Sequence, residues 1–244
     1  KNRYVVDLLK LIQNNNFGDL NEKIIDIINN FGLSQSYIKG YDYYNAESSA
    51  GLGQYNKNAF LELRNEFNKD KTRIDLLLVL VLYSFNNQIR FNSNGDFNLP
   101  VGKRDYNGNS RKNVAAFNQI SNEKEIIFKT QDFREIEKAD LQKNDFIYLD
   151  PPYLLGLASY NELGGWTEKD EKDLYALLSR LNKKGVRFAL SNVLEHKGET
   201  NEIMKNWAEK NNFKTNKLNY DYRNSNYHST AKNNKTIEVL ITNY

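Results

Sequence analysis

The stretch Phe146-Ile147-Tyr148-Leu149-Asp150-Pro151-Pro152-Tyr153 decides the fold of this chain. Its first four residues read as a short buried strand. The two prolines end that strand at Asp150, because proline donates no backbone hydrogen bond and fixes φ. The carboxylate is therefore held at the carboxyl end of a strand, where open α/β sheets bind their ligands. Tyr153 adds an aromatic face, and an acid beside a ring predicts a site for a nucleobase that carries an amino group.

The sequence on either side of this stretch alternates predicted strands with predicted helices. Strands are predicted at 125–129, 146–149, 186–190, 213–218 and 236–242, and helices at 167–181 and 199–209. Thr167 and Asp170 have the spacing of a capping box, which favours a helix start there. Alternation of strands and helices is typical of a doubly wound, mostly parallel sheet. The second half of the chain is therefore predicted to be an α/β sheet domain.

The first 124 residues lack that alternation. Helices are predicted there at 1–14, 20–30, 59–67 and 73–85. The last of them is apolar nearly all round, which predicts a buried central helix. Gly51-Leu52-Gly53 has no strand before it and no third glycine, so a flexible loop is favoured over a phosphate-binding turn. The first half is therefore predicted to be a helical insertion or a separate lobe.

The composition excludes several classes of protein. The 244 residues include no cysteine, which removes disulfides, thiolate nucleophiles and zinc–thiolate sites and fits a reducing compartment. No apolar run has the length of a membrane span, and we read no secretion signal in the first residues. His196 and His228 lie far from other ligand types. We therefore expect a cytoplasmic protein with no metal and no membrane partner. The net charge of +3 permits nucleic-acid binding, which local basic clusters have to support.

One such cluster lies at 86–112, where asparagine, glycine, basic and aromatic residues predict a loop or hairpin. Its candidate contacts with DNA are Arg90, Phe91, Asn92, Asn98, Lys103 and Arg104. Arginine pairs with guanine and asparagine with adenine, and an apolar ring can enter a base stack. Lys103 and Arg104 suit phosphate better. For Arg111 and Lys112 a solvated loop is an equally good interpretation.

These motifs together resemble those of the adenine-specific DNA methyltransferases of the alpha group, the Dam and DpnM type. The residues that carry the resemblance are Asp150-Pro151-Pro152-Tyr153, Arg90-Phe91-Asn92 with Gly95-Asp96-Phe97-Asn98-Leu99-Pro100-Val101-Gly102, Asp132-Phe133, Ser191-Asn192 and Glu238-Val239-Leu240-Ile241-Thr242-Asn243-Tyr244. The second group is similar to the family's target-recognition segment, and Asp132-Phe133 is similar to its cofactor-contacting pair. The resemblance covers nearly the whole chain.

The resemblance implies a Rossmann-like methyltransferase sheet with an inserted, mainly helical target-recognition domain. We expect the catalytic domain at 1–30 and 125–244 and the target-recognition domain at 31–124. The implied reaction transfers a methyl group from S-adenosylmethionine to the exocyclic amine of adenine in a short DNA sequence, in restriction–modification or genome marking. The implied partner is double-stranded DNA with one adenine flipped out of the stack.

The resemblance also implies roles for the candidate catalytic residues Asp150, Pro151, Pro152 and Tyr153. The Asp150 carboxylate and the Pro151 carbonyl each accept one amino hydrogen, which aims the nitrogen lone pair at the methyl group. Tyr153 stacks on the flipped base. A strand-terminating turn with a surface tyrosine is the plain structural interpretation of the same four residues.

The implied cofactor contacts are Asp132, Phe133 and Asp150, of which the first two flank the adenine ring of the cofactor. A helix N-cap followed by a core phenylalanine is the alternative interpretation of Asp132-Phe133. In the recognition segment, the resemblance favours Phe91 as the wedge that enters the vacated stack and Asn92 as a contact with DNA.

The sequence departs from the family's pattern in one respect. The family binds S-adenosylmethionine with a Phe-x-Gly-x-Gly turn after its first strand and with an acid after its second, and both features are missing here. Those two strands would lie between the strands predicted at 125–129 and 146–149, where each unpaired backbone group costs about 1–3 kcal/mol. We therefore expect that an N-terminal segment of about 40–50 residues, or a second chain, completes the cofactor site.

Two other functions stay open. A DNA-binding or specificity subunit that transfers no methyl group is compatible with the missing glycine turn. Methylation of RNA or of a protein glutamine is the other alternative. Families with those substrates usually carry Asn where this chain has Asp150, and they lack the recognition segment.

Overall fold

The structure is a computed structural model, which describes residues 2–46, 51–155, 165–218 and 236–244. The chain divides into two compact units, Lys1–Thr130 and Gln131–Tyr244. Each unit has its own hydrophobic core. The first unit is helical, and the second contains the sheet.

The first unit is a bundle around one buried helix. Its described helices are α1 (Arg3–Asn14), α2 (Phe17–Phe31), α3 (Ser36–Lys39), α4 (Gly53–Lys69), α5 (Ile74–Tyr83) and α6 (Gly108–Glu123), with short 3-10 turns at Asp42–Tyr44 and Phe85–Asn87. α5 is apolar on every side, and eight of its ten residues are buried. It therefore lies at the centre of the bundle, as predicted.

α1 and α2 belong to the same core as α5. Leu8 and Ile12 of α1 and Ile24 and Ile28 of α2 are buried, at the spacing of one helical face. α2 ends at Gly32, whose φ of +72° lets the chain leave the helix. Residues 1–30 thus pack within the first unit. Their assignment to a catalytic domain stays a prediction, as do the domain boundaries at 31–124 and 125–244.

α6 begins inside the segment that was predicted to be a loop, so the prediction for residues 108–112 was wrong. The side chain of Asn107 starts the helix by accepting from the backbone N–H groups of Asn109 and Ser110 at 3.0 and 3.1 Å. Among its 16 residues only Val114 and Ser121 are buried. The apolar periodicity is therefore too weak to reveal this helix.

The strand predicted at 125–129 is also absent from the structure. These residues follow α6 without regular structure, and Glu125 has a φ of +50°. The side chain of Gln13 donates to the carbonyl of Ile126 at 2.8 Å, so a side-chain amide occupies an acceptor that a sheet ladder would use. Phe128 packs on Phe117 of α6 with ring centroids 5.9 Å apart. Apolar residues there serve helix packing, which β propensity alone does not distinguish from a strand.

The second unit is built on one mixed sheet. Its strands are β1 (Phe146–Leu149), β2 (Arg187–His196), β3 (Glu199–Thr200), β4 (Lys214–Leu218) and β5 (Thr236–Thr242), in the order β1-β2-β5-β4 with β3 paired to β2. Only the β1–β2 pair is parallel among the described strands. An α/β fold is confirmed, but the expectation of a mostly parallel sheet was wrong for these strands.

β2 is longer than predicted. The sequence indicated an end at Ser191-Asn192, whereas the strand continues to His196 because β5 pairs with it as far as Thr236. Helix α7 (Glu168–Lys183) begins with the predicted capping box of Thr167 and Asp170, and α8 (Glu202–Lys210) follows β3. Apolar side chains of α7, α8 and the sheet form the core of this unit.

Candidate active site

Asp150 lies directly after β1, at the carboxyl end of the parallel β1–β2 pair. Leu149 is opposite Leu190, so the next residues along the two strands, Asp150 and Ser191, lie at the same end of the sheet. β1 stops here because the two prolines that follow cannot donate to a ladder. Asp150 is exposed. The predicted position of this carboxylate at a strand end is confirmed.

Tyr153 folds back onto Asp150. Its hydroxyl donates to Oδ1 of Asp150 at 3.0 Å and lies 3.4 Å from Oγ of Ser191. Burial raises the pKa of Tyr153 above its usual value of 10, and the neighbouring carboxylate contributes to the rise. The hydroxyl therefore keeps its proton at neutral pH and remains a donor. This bond holds the Asp150 carboxylate in a defined orientation.

Glu171 of α7 is a buried carboxylate close to this group, and we did not single it out from the sequence. Its side chain is 0% exposed. It accepts hydrogen bonds from the indole N–H of Trp166, the hydroxyl of Tyr175, and Nδ2 of Asn192 and Asn201 at 3.3 and 2.8 Å. Burial raises the pKa of Tyr175, so all four donors are neutral and protonated. They supply the hydrogen bonds that a buried carboxylate requires.

Glu171 connects the surroundings of two candidate sites. On one side it holds Asn192, the neighbour of the Ser191 that faces Tyr153. On the other side it holds Trp166, whose ring lies 5.5 Å from that of Phe133 between centroids, with the planes inclined by 47°. The carboxylate therefore positions side chains next to the candidate catalytic residues and next to the candidate cofactor residues.

The sequence does contain a signal for Glu171. It stands three residues before Leu174 and seven before Leu178, both buried on α7, and this is the spacing of one helical face. A carboxylate on an otherwise apolar face is unusual unless it has partners. Those partners come from positions up to 30 residues away in sequence, so the network itself is visible only in the fold.

Asp132 caps the 3-10 turn Phe133–Lys138, where its Oδ1 accepts from the backbone N–H of Arg134 at 2.9 Å. The N-cap that was the alternative interpretation is therefore present. Phe133 is half-buried, with the ring of Trp166 tilted against it and the guanidinium carbon of Arg134 at 4.4 Å from the ring centroid. A cap and a cofactor contact are compatible, and the cofactor role of both residues stays a prediction.

Arg134 gathers three acids around this turn. Its guanidinium pairs with Asp132 at 3.2 Å, with Asp170 at 2.6 Å and with Asp173 at 2.8 Å. The hydrogen bond from Arg134 is the largest reason why the pKa of Asp170 falls to about 2. The ion pairs connect the Asp132 turn to the first turns of α7 and so hold Phe133 near Trp166.

The candidate recognition segment in the first unit forms a hairpin, one of the two structures that were predicted for it. Nε of Arg90 donates to Oδ1 of Asn98 at 2.8 Å, while the backbone N–H of Asn98 donates to the carbonyl of Arg90 at 3.2 Å. Oδ1 of Asn92 accepts from the N–H groups of Asn94 and Asp96 at 3.0 and 2.9 Å. The side chains proposed to contact DNA thus also shape the hairpin that presents them.

Phe91 faces inward in this hairpin. Its ring stacks on Tyr4 with centroids 4.5 Å apart and contacts Phe67 and Phe97 at 6.4 and 5.8 Å. A ring in this position has to leave these partners before it can enter a base stack, and the wedge role stays a prediction. Phe85, in the turn before the hairpin, is 44% exposed. It is a second candidate for the ring that enters the base stack, and the sequence motif did not indicate it.

Lys103 and Arg104 are both exposed, as a phosphate contact requires. Nδ1 of His196 forms a hydrogen bond with Oγ1 of Thr236 at 2.9 Å. His228 lies outside the described residues. No group of three or more His, Asp or Glu side chains within 2–46, 51–155, 165–218 and 236–244 has a metal-binding arrangement. Over the same part of the chain, no helix has the length and apolar character needed to cross a membrane.

Comparison with known proteins identifies relatives for nearly the whole chain. Residues 4–234 match the family model of the D12 class N6 adenine-specific DNA methyltransferases. The chain is 37% identical over 234 residues to the modification methylase StsI of Streptococcus sanguinis, which covers 93% of this chain and 35% of that protein. It is 39% identical over 200 residues to the type II methyltransferase M.FokI of Planomicrobium okeanokoites, covering 80% of this chain and 30% of that protein.

A third relative is the modification methylase LlaI of Lactococcus lactis subsp. lactis, 27% identical over 245 residues, which cover 99% of this chain and 35% of that protein. The chain thus spans about a third of the length of these three relatives.

Proposed function

The chain belongs to the D12 class of N6 adenine-specific DNA methyltransferases, and from that premise we propose that it methylates the exocyclic amine of adenine in DNA, within a type II restriction–modification system. The observation that carries the proposal is the clamp formed by Asp150 and Tyr153 at the carboxyl end of β1, where the tyrosine hydroxyl lies 3.0 Å from Oδ1 of the acid. Relatives whose names include "modification methylase" support the biological setting.

The chemistry of the amine explains why an acid and a carbonyl stand together. The lone pair of adenine N6 is delocalised into the ring, so the amine is a poor nucleophile. Asp150 and the carbonyl of Pro151 accept the two amino hydrogens and localise the lone pair on nitrogen. When the carbon–nitrogen bond forms, the bond between the methyl group and its donor would break, the donor would leave with that electron pair, and the proton lost from N6 would pass to solvent water.

Tyr153 has two tasks in this proposal. Its ring stacks on the adenine that has left the duplex, a contact worth about 1–3 kcal/mol. Its hydroxyl fixes the Asp150 carboxylate before the base arrives. Pro151 and Pro152 make the connection between them stiff, so little conformational freedom is lost when the base binds.

The family implies S-adenosylmethionine as the methyl donor, which supplies a methyl group on a positively charged sulfur. We propose that Asp132 and Phe133 hold its adenine ring and that Asp150 borders the same molecule. The residues present suit such a ring, because Phe133 and Trp166 provide aromatic faces and Asp132 places a hydrogen-bond acceptor beside them.

The first unit supplies the contacts with DNA in this proposal. Arg90, Asn92 and Asn98 lie together in the hairpin and carry the groups that read base edges. Lys103 and Arg104 bind phosphate and set the position of the protein on the duplex. Phe91 fills the space that the flipped adenine leaves, after it separates from Tyr4.

A transfer assay tests the proposal. The protein, together with the segment or chain expected to complete its cofactor site, is incubated with S-adenosylmethionine labelled on its methyl group and with mixed-sequence DNA, as wild type, Asp150→Ala and Asp145→Ala. Asp145 is the matched control, because it precedes β1 as Asp150 follows it. We expect label in adenine for the wild type and for Asp145→Ala, and a loss of about a hundred- to a thousandfold for Asp150→Ala, the scale of removing a group that acts in the transition state.

The outcomes separate the competing functions. Absence of Asp150-dependent label in DNA overturns the proposal. DNA binding without any methyl transfer identifies a specificity subunit, and label in RNA or protein identifies a methyltransferase with a different substrate.

A further inference from the structure

A group of tyrosines on the first unit faces solvent. Tyr37 is 59%, Tyr43 62% and Tyr55 49% exposed, and the neighbouring Ile38 is 63% exposed. Single exposed apolar residues are ordinary, but several large ones within a short segment indicate an interaction surface.

Basic side chains lie against these rings. Nζ of Lys39 is 4.6 Å from the ring centroid of Tyr43, and Cζ of Arg111 is 5.3 Å from that of Tyr37. Both are cation–π distances. Gly108, at the start of α6, brings the helix so close that a Cβ there would lie 3.2 Å from the Tyr37 ring. Arg111, in the next turn of that helix, is thereby held over the same tyrosine.

The predicted phosphate-binding pair is anchored to the same segment. Asp105, which is 0% exposed, accepts from the backbone N–H and the hydroxyl of Ser36, each at 2.6 Å. Ser36 immediately precedes Tyr37, and Arg104 immediately precedes Asp105. These bonds therefore fix Arg104 beside the exposed tyrosines.

A second anchor holds Lys103. Its carbonyl accepts from the backbone N–H of Leu52 at 3.0 Å, and at Gly51 a Cβ would approach that carbonyl to 2.5 Å. Glycine is required at this close approach, where φ is +60°. The Gly51-Leu52-Gly53 turn thus positions Lys103 rather than a phosphate of its own.

The charge of this region is strongly one-sided. The segments 34–46, 51–58 and 102–112 contain six basic residues, Lys39, Lys57, Lys103, Arg104, Arg111 and Lys112, against two acids, Asp42 and Asp105. The carboxylate of Asp105 is enclosed and hydrogen-bonded. The exposed charges of these segments are therefore mostly positive, although the chain as a whole has a net charge of only +3.

We propose that Tyr37, Lys39, Tyr43, Lys103, Arg104 and Arg111 form one surface, here called the tyrosine–basic surface, which binds the phosphate backbone of duplex DNA outside the recognised sequence. The proposal rests on the proposed function and extends the DNA interface beyond the hairpin. The ammonium group of lysine, the guanidinium group of arginine and the hydroxyl group of tyrosine all donate hydrogen bonds to phosphate oxygens. Phosphates carry no base identity, so this surface adds affinity for any sequence.

The test measures DNA affinity as a function of salt. Fluorescence anisotropy with two labelled duplexes of unrelated sequence is recorded for wild type, Lys39→Gln, Arg111→Gln and the double variant. Arg187→Gln is the matched control: Arg187 also lies over an exposed ring, that of Tyr244 at 5.9 Å, but at the amino end of β2. Thermal melting of each variant verifies that it is folded.

We expect each single variant to weaken binding to both duplexes by the same factor. The magnitude of the slope of log affinity against log salt should fall by about one in each single variant and by about two in the double variant. Arg187→Gln is expected to leave both quantities unchanged. Unaltered affinity and slope in the double variant overturn the proposal and leave a protein partner as the occupant of the surface. A loss for one duplex alone also overturns it, because that result indicates base recognition.

The two proposals fail in different ways. If the variants lose affinity uniformly while the wild type methylates no adenine in any duplex, the surface is supported and the proposed function is wrong. If methylation depends on Asp150 and the variants bind DNA like the wild type, the function stands and the surface proposal is wrong.

Discussion

Each unit of the molecule encloses a carboxylate that is 0% exposed, Asp105 in the first and Glu171 in the second. Asp105 is surrounded by the hydroxyl groups of Ser34 and Ser36 and one backbone N–H. The partners of Glu171 are mostly side-chain N–H groups, those of Trp166, Asn192 and Asn201. A hydroxyl group can donate or accept, whereas an indole N–H can only donate.

This difference determines how each carboxylate acts on its surroundings. Asp105 holds a backbone segment and so positions the exposed Lys103 and Arg104. Glu171 holds side chains and so defines the orientation of Trp166 and Asn192 at the candidate active site. Asp105 therefore supports the proposed phosphate-binding surface through the backbone, whereas Glu171 fixes the orientation of side chains at the candidate active site.

The largest effect on stability is expected for Glu171→Gln. Oδ1 of Asn192 and of Asn201 already accept from backbone N–H groups at 2.7 and 3.0 Å, so neither amide can turn. The new amide nitrogen therefore has to face the N–H of Trp166, and one buried donor loses its partner. We expect a loss of about 1–3 kcal/mol in the free energy of unfolding, measured with urea.

The same variant tests the position of Trp166. If Trp166 supports Phe133 at the cofactor, Glu171→Gln raises KM for S-adenosylmethionine more than it lowers kcat. Ser179→Ala is the control, because Ser179 on the same helix accepts from the other tryptophan, Trp207, at 2.9 Å. Equal changes of KM in both variants would contradict the assignment.

A smaller effect is expected for Asp105→Asn. Its amide nitrogen can donate to Oγ of Ser36, whose hydroxyl turns so that its oxygen accepts. The remaining side-chain oxygen still accepts hydrogen bonds from the hydroxyl of Ser34 and the backbone N–H of Ser36. We expect a destabilisation below about 1 kcal/mol, measured in the same urea titration. A loss as large as that of Glu171→Gln would show that the contrast between the two carboxylates is not one of hydroxyl against N–H neighbours.

Asp150 extends the comparison to an exposed carboxylate. Tyr153→Phe removes the donor at 3.0 Å but keeps the ring that stacks on adenine. We expect a decrease in kcat of about three- to tenfold, since one hydrogen bond to this solvent-exposed acceptor contributes about 0.5–1.5 kcal/mol, with little change in stability. Tyr153→Ala, which also removes the ring, is expected to show a larger decrease in kcat.

The pH dependence of Tyr153→Phe adds a control. Burial raises the pKa of Tyr153 above its usual value, so this hydroxyl does not ionise below about pH 10. The pH–rate profiles of wild type and Tyr153→Phe should therefore have the same shape up to that pH. A limb near pH 8 that disappears in the variant would contradict the assignment.

The smallest effect is expected at the surface, for the ion pair of Arg134 with Asp170. A pKa of about 2 in the folded protein, against an ordinary 3.8, means that the carboxylate stabilises the fold fully above pH 3.8 and loses this contribution as the pH falls to about 2. Arg134→Ala should therefore flatten the decrease in Tm over that window by a small amount, because exposed ion pairs contribute about 0–1 kcal/mol. Identical slopes in both proteins would show that Arg134 does not hold the acid.

The sequence was most informative where local chemistry determines structure. The two prolines after Leu149 end β1, Gly32 ends α2, and Thr167 with Asp170 starts α7, each through a local backbone constraint. The catalytic candidates could be located for that reason, because a strand end and a proline pair lie within one short stretch.

Long-range partners explain what the sequence did not reveal. The strand predicted at 125–129 is replaced by irregular chain that Gln13, more than a hundred residues earlier, holds by a side-chain hydrogen bond. The length of β2 depends on β5, and the antiparallel partner makes the sheet mixed. The network of Glu171 collects donors from the residues before α7, from α7, from β2 and from the start of α8, and no short window of sequence contains them together.

The most direct test of the central claim is the identity of the methylated nucleoside. DNA incubated with the protein and S-adenosylmethionine is digested to nucleosides and measured by mass spectrometry. The clamp of Asp150 and Tyr153 in a D12-class protein predicts N6-methyladenine, present with wild type and absent with Asp150→Ala. N4-methylcytosine in its place, or N6-methyladenine that persists in Asp150→Ala, would contradict the account.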